Sequence, residues 1–337
     1  MHHIISLGGG VQSTAMFLMA CLGQILPKPM CAIFADTGWE RQQTYDMIEY
    51  LTEYGEKHGI PVYTVGKGNI RDDVLNPELR HPSLPFYINT QRLITVQDQR
   101  DELENLLDAA YPDPPSDDLT EPELAIYHEE WEEWHAMKKS ELDNFDRRVE
   151  KGEITDYYSE PDTAMLRRQC TSDYKIRPIT KLVKKLTGCN FKNPATQWIG
   201  ISIDEIQRMK PPRVKYLKFR YPLVEMKIGR AQCVQWMKDN GFPEPTRSSC
   251  IGCPFHDDEE WKSLTPEEFE DACQFDEAKR ESGMTHPKTD KVYFSNRVYL
   301  HRSMQPLRER PFKEKDPSQM SLFDPKDEAC DSGHCFL

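Results

Sequence analysis

The 337-residue sequence contains no apolar run near the roughly 18 to 20 residues that a membrane-spanning helix needs. It also lacks an opening charged leader followed by a cleavage site. A cytoplasmic, unprocessed protein without membrane contact is the expectation from both absences. No internal repeat is present, and no lysine follows the glycine run, which excludes a Walker A loop. A basic excess is missing too, since the net charge is -13. That deficit is local: residues 101–150 hold 17 acidic and 4 basic side chains, and the rest of the chain carries 39 of each. Residues 163–230 invert the sign, with 16 Lys and Arg against 4 Asp and Glu, and such a stretch either attracts phosphates or forms a solvated face. Cysteine is plentiful at ten, but spread through a long chain without a leader, which points to metal or redox work rather than a disulfide framework.

The first sixty-five residues alternate as an open parallel sheet requires. Ile4–Ile5 predicts a strand, a glycine turn follows, and Ala15, Met16, Leu18 and Met19 set a helical period. A second strand is predicted at Cys31–Ala35, a helix over Glu40 to Lys57 and a third strand at Pro61–Val65, which makes two successive βαβ crossovers. After Cys170 the pattern resumes with a helix from Pro178 to Leu186, a strand at Thr196–Ile201 and a helix from Arg230 to Asn240. The expected fold class is α/β, a doubly wound, mostly parallel sheet. Its parts are an α/β domain over 1–97 and 163–245, an acidic helical insertion over 98–162, a Cys-x-x-Cys helical region over 246–305 and a flexible C-terminal tail over 306–337. In the insertion, Trp131 and Trp134 at i and i+3 predict a packing stripe.

Ser6-Leu7-Gly8-Gly9-Gly10-Val11-Gln12-Ser13-Thr14 lies between the first strand and the first helix. Main-chain N–H groups and the positive helix end can converge there on phosphate oxygens, with the Ser13 and Thr14 hydroxyls in the first turn. A tight turn that needs glycine for steric reasons is the plain alternative. Strand two ends in Asp36-Thr37-Gly38, at the carboxyl edge beside the first loop, where open parallel sheets bind ligands. Asp36 there can hold a ribose hydroxyl, a metal ion or a substrate group, or act as an ordinary cap.

Taken in order, these segments resemble the PP-loop superfamily of N-type ATP pyrophosphatases, the adenine nucleotide alpha hydrolases, and within it the phosphoadenosine phosphosulfate (PAPS) and adenosine phosphosulfate (APS) reductases. Gly8–Ser13 is similar to the SGGxxS loop, with Gly8 for the leading Ser and Gln12 where many members have Asp. Asp36–Thr44 is similar to the DTG motif and its downstream Thr, with Gln42 and Gln43 replacing Pro and Glu. Gly200-Ile201-Ser202-Ile203-Asp204-Glu205 with Arg208 resembles the GIRxxE…R strand end, Ser202 taking the Arg position, and Tyr221-Pro222-Leu223 resembles the turn before the substrate-side helix. The resemblance implies a Rossmann-like HUP fold that binds ATP, or APS or PAPS; Mg²⁺ is expected with the nucleotide on chemical grounds. The implied contacts are Ser6, Gly8, Gly9, Gly10, Gln12, Ser13, Thr14, Asp36 and Gly200.

Cys250-Ile251-Gly252-Cys253-Pro254 is a Cys-x-x-Cys turn, the spacing at which two thiolates reach one metal. Cys170, inside Arg167-Arg168-Gln169-Cys170-Thr171-Ser172-Asp173-Tyr174-Lys175-Ile176-Arg177-Pro178, resembles the cysteine segment of the APS reductases. In those enzymes two adjacent cysteines and a later Cys-x-x-Cys hold a four-iron four-sulfur (4Fe-4S) cluster. Thr171 stands where the second adjacent cysteine would be, so the resemblance implies three ligands, Cys170, Cys250 and Cys253. They would hold a cluster with one iron open or otherwise held, as in PP-loop tRNA-thiolating enzymes whose free iron carries sulfide; zinc is the other reading. Cys330 and Cys335, near the C-terminus, loosely resemble the reductase cysteine that attacks the sulfur of the bound nucleotide. A fourth metal ligand and an inert end are the other readings of that tail. Cys21, Cys31, Cys189, Cys233 and Cys273 are expected to be packing residues, and His256 and His334 to be surface or hydrogen-bonding groups.

Three functions follow. The leading expectation is an enzyme that binds ATP, adenylates an acceptor, expected to be nucleic acid (tRNA or DNA), with pyrophosphate release, and then transfers sulfur to it. Lys175, Arg177 and Arg208 are the expected charge-neutralising groups. The second is APS or PAPS reduction through Cys330 or Cys335, resolved by a thioredoxin-like partner, where the first would need a sulfur donor. The third is a zinc-stabilised nucleotide-binding module without turnover, its acidic insertion meeting a partner protein.

Overall fold

The computed structural model describes residues 2–76, 78, 84–89, 93–109, 121–158, 163–282, 284–285, 292–294 and 297–312. They form two compact units, Met1–Ile88 with Thr163–Leu337, and Asn89–Asp162. Among the described residues no helix is long and apolar enough to cross a membrane.

In the first unit, β1 (His3–Leu7), α1 (Val11–Cys21), β2 (Cys31–Asp36), α2 (Gln42–Lys57) and β3 (Val62–Gly66) build three adjacent strands of a parallel sheet. α3 (Arg177–Thr187), β4 (Ala195–Trp198), β5 (Leu217–Arg220) and α4 (Arg230–Asp239) extend it, giving the strand order β3-β2-β1-β4-β5, all parallel. β1 and β2 are short, mostly apolar runs because both of their faces are covered, whereas the edge strands β3 and β5 carry exposed positions. Alternate side chains separate cleanly: Ile5, Leu7, Ala32, Phe34 and Trp198 join the core under α1, α2 and α4. Ile4, Cys31, Ile33, Ala35, Ala195 and Leu217 pack with Ile179 and Val183 of α3. Helices on both faces make the sheet doubly wound. α1 is apolar from Ala15 to Cys21 after a polar first turn and buried from Val11 to Ala20, as a helix enclosed by sheet and neighbouring helices must be.

The element bounds depart from the periodicity where tertiary contacts intervene. α2 starts at Gln42 rather than Glu40, because Glu40 forms an antiparallel bridge to Cys250 and Arg41 is extended. β4 stops at Trp198 rather than Ile201, and Gly200 there lies against the Ser13 backbone. A π-helical turn, Thr171–Ile176, precedes α3.

The 246–305 region belongs to this same unit. Its helices Asp258–Lys262 and α5 (Pro266–Ser282) share a second core in which Trp39, Phe86, Tyr174, Trp261 and Phe275 are buried. Val298–Tyr299 closes it by pairing antiparallel with Ile88 and Tyr87.

The second unit opens at Asn89 rather than at 98. Strand Leu93–Ile94 pairs antiparallel with Tyr157–Tyr158, and helices Val96–Ala109 and Glu121–Glu150 pack together. Trp134 is buried and donates Nε1–H to the Leu107 carbonyl at 3.2 Å, whereas Trp131 is exposed. Only one of the expected tryptophan pair therefore packs inward.

Candidate functional site

The glycine turn is held by its own side chains. Gly9 takes φ of 73°, a left-handed conformation suited to glycine, and the Gly8 N–H donates to Ser13 Oγ at 3.1 Å. Ser13 Oγ in turn donates to the Gly10 carbonyl at 3.2 Å. The first intrahelical bond of α1 runs from Thr14 N–H to the Gly10 carbonyl at 3.0 Å. The amides of Val11, Gln12 and Ser13 precede that bond, so they are the helix-start donors available to a phosphate.

Several expected contacts have other duties. Ser6 is buried and accepts from the Gln197 amide. Thr14 is fully buried, so its hydroxyl is not offered at the first turn. Gln12 is buried as well: its amide donates to Ser202 Oγ at 3.4 Å, and its carbonyl accepts from Arg230 Nη1 at 3.1 Å. A guanidinium from the start of α4 thus reaches the Gln12–Ser202 pair. A Cβ on Gly200 would lie 2.8 Å from Ser13 N and Cα, so that glycine lets β4 close on the turn.

The end of β2 is a second braced turn. Asp36 Oδ1 accepts from Gly38 N–H at 2.7 Å and from the Tyr45 hydroxyl at 2.9 Å. Gly38 has φ of 73°, and a Cβ there would sit 2.8 Å from Asn69 Cα. Thr37 Oγ1 donates to Glu40 Oε1 at 2.9 Å and lies 3.2 Å from Cys250 Sγ. The acidic turn and the cysteine loop are therefore in contact.

Cys250 and Cys253 sit in a tight turn closed by Cys253 N–H to the Cys250 carbonyl at 3.1 Å and anchored by Ile251 N–H to the Trp39 carbonyl at 2.9 Å. Gly252 is pressed on Trp39: a Cβ would fall 2.1 Å from its ring. Cys170, eighty residues earlier in the chain, opens the π-helical turn and lines the same small cavity as Cys250 and Cys253, with Thr37, Arg168 and Lys175. Lys175 Nζ is 3.4 Å from Glu40 Oε1, both groups being buried. Burial pulls the Lys175 pKa down, but Glu40 and the Cys250 and Cys170 sulfurs outweigh it, so the net shift is upward and the ammonium stays charged. Burial, followed by Glu40, pushes the Cys250 thiol well up against the pull of Lys175. Burial likewise raises Cys253 to about 11, opposed by Arg168. Arg168 stacks over the Phe255 ring at 4.8 Å. His256 is buried with Nε2 2.8 Å from Ser249 Oγ, and burial followed by Arg247 and Arg41 lowers its pKa to about 3, so it is a neutral hydrogen-bonding group.

Three thiols from two segments beside two cations suit a metal–sulfur centre by donor chemistry, since the cations offset the charge of bound thiolates. Among the described residues no three His, Cys, Asp or Glu already close on a single metal ion. The cavity volume is about 20 Å³, enough for a water-sized species. A cluster would need the walls to move outward.

Comparison with known proteins yields no match to a family model, a curated protein or a solved structure.

Arg177 and Arg208 lie apart from the cavity. Arg177 is exposed and pairs with Asp173 at 2.9 Å, and Arg208 pairs with Glu205 at 2.6 Å in the short turn after β4. Neither lines the cysteine cavity. Cys330, Cys335 and His334 lie outside the described residues. Cys31, Cys189, Cys233 and Cys273 are buried as packing residues, and Cys21 is half-buried. Sequence reasoning missed Glu40, Arg168 and Arg230. Glu40 was legible only as a helix start, Arg168 stood in the basic stretch next to Cys170, and Arg230 is joined to Gln12 by the fold alone.

Proposed function

We propose that this chain is a PP-loop-like, PAPS reductase-like enzyme that binds ATP at the glycine turn, adenylates an acceptor and replaces the activated oxygen by sulfur. The supporting observation is the convergence of Cys170, Cys250, Cys253 and the protonated Lys175 on the carboxyl edge of the sheet, in contact with the Asp36–Gly38 turn.

In this reading the Val11, Gln12 and Ser13 amides hold the phosphates, with Mg²⁺ shielding them. An acceptor oxygen attacks the α-phosphorus, the bond to the β-phosphate breaks and pyrophosphate leaves. A sulfide-level sulfur then attacks the activated carbon, and AMP departs with the oxygen. Lys175, kept charged by Glu40, offsets negative charge at the cysteine cavity. A cluster held by Cys170, Cys250 and Cys253 would supply the sulfide. Asp36 braces its own turn through Gly38 and Tyr45 and so positions rather than reacts.

The test is metal and acid-labile sulfide analysis of anaerobically purified protein, with pyrophosphate release from ATP assayed alongside. Iron, sulfide and broad visible absorption that Cys170→Ser and Cys250→Ser each remove, together with acceptor-dependent pyrophosphate release, is the expected result. Stoichiometric zinc without turnover would replace the reading by a nucleotide-binding module.

A further inference from the structure

Three depressions share lining residues and are therefore immediate neighbours. Arg168 and Thr171 line both the cysteine cavity and an open groove of about 370 Å³ that carries Arg167, Arg177 and Arg213. Arg213 also lines an enclosed pocket of about 90 Å³, and Lys175 lines that pocket as well as the cysteine cavity. The pocket walls include Ile176, Ile179, Val214 and Phe219, with the Gln197 side chain on the strand side. Gln197 donates to Ser6 Oγ, which fixes its amide.

We propose that this depression receives one strand of a nucleic acid, its phosphodiester backbone lying along Arg167, Arg177 and Arg213 and one unstacked base entering the Phe219 pocket. The inference rests on the sulfur-transfer reading only for what then happens to the base. Arg167, Arg177 and Arg213 are all exposed on an open groove; Asp173 lines it too and pairs with Arg177 at 2.9 Å, and the remaining cationic surface still exceeds what a single phosphate needs and is suited to a chain passing through. The adjoining pocket is narrow, mostly apolar and carries one ring and one fixed amide, which is the composition that takes a planar base out of its stack. A base inside a duplex cannot reach an enclosed pocket. The pocket also packs on the α3 side of the sheet, whereas the glycine turn opens α1 on the other side. With a net charge of -13 the whole chain repels polyanions at long range, so association depends on this local stretch.

The experiment is fluorescence anisotropy of the full-length protein with a labelled single strand of about twelve nucleotides, as RNA and as DNA, across a salt series. The same sequence as a duplex, a polyglutamate chain and ATP serve as competitors. Single strands are expected to bind more tightly than duplex, and R167Q/R213Q to weaken binding about tenfold at low salt. The variant should also flatten the salt slope by about 1.4, two phosphate contacts at about 0.7 each for a single strand. Phe219→Ala, its folding checked by melting temperature, is expected to lower single-strand affinity roughly tenfold as well. Equal binding by R167Q/R213Q and the parent, or equal binding of duplex, overturns the proposal. Polyglutamate binding as tightly as RNA would make the groove an acidic-peptide receptor, and displacement of the strand by ATP would make the pocket the adenine seat; either result also sinks it. Strand binding without iron or pyrophosphate release leaves the groove standing and removes the sulfur-transfer reading; turnover without strand binding does the reverse.

Discussion

Glu40 carries a carboxylate withdrawn from water that accepts from the Thr37 hydroxyl at 2.9 Å and faces the Lys175 ammonium at 3.4 Å. Removing one member of a buried ion pair strands the other charge in a low-dielectric site. Glu40→Gln is therefore expected to cost about 3 kcal/mol of folding stability, measured by urea unfolding. Because the Lys175 pKa is raised in the folded state, its pairing contributes fully below the ordinary lysine value and is lost only as pH rises past the folded one. The difference between parent and variant should thus stay constant from about pH 6 to 9 and shrink only in stronger alkali; a difference that vanished near neutrality would contradict the pairing. Of this residue group the sequence offered Lys175 and the three cysteines through their spacing and resemblance. Glu40 was hidden, because its role depends on a bridge to Cys250, 210 residues away.

At the scale of elements, the approach of β4 to the glycine turn depends on Gly200, where a side chain would meet the Ser13 backbone at 2.8 Å. Gly200→Ala is expected to destabilise the protein by about 1 to 3 kcal/mol and to weaken ATP binding measured by calorimetry, because Ser13 is displaced with its amide. Unchanged ATP affinity would separate the turn from the nucleotide. Four of the five strands and the mostly parallel class were legible from runs bounded by turn signals and the βαβ crossovers, whereas β5 (Leu217-Lys218-Phe219-Arg220) carries two cations in four residues and was missed, and the strand order comes from the structure. Element ends were not legible either: the Glu40 bridge trims α2, and the π-helical turn that lifts Cys170 toward the cavity carries no periodic signature. Arg177 illustrates the same limit, since its place beside Lys175 in the chain leaves it exposed on a different side of that turn.

For the whole molecule, the acidic excess of residues 101–150 falls within the Asn89–Asp162 unit. The chain leaves and re-enters the sheet-bearing unit at one place, where Leu166 N–H bonds to the Phe86 carbonyl at 2.9 Å. Replacing residues 89–162 by a short Gly/Ser linker is expected to leave the five-stranded unit folded, seen as a single thermal transition in circular dichroism within a few degrees of the parent. A chain that fails to fold would show that the sheet needs the insertion. The composition shift announced this unit from residue 98, but its first residues were counted with the α/β domain because the pairing of Leu93 and Ile94 with Tyr158 and Tyr157 is made across more than sixty residues of chain. Trp39 has a wider bearing: its indole is pinned by Gly252 on one side and bonded to Asp271 Oδ2 at 2.6 Å on the other. Any event that unseats the thiol loop must bare this ring to water, so its emission is a built-in optical gauge of whether the sulfur chamber is shut.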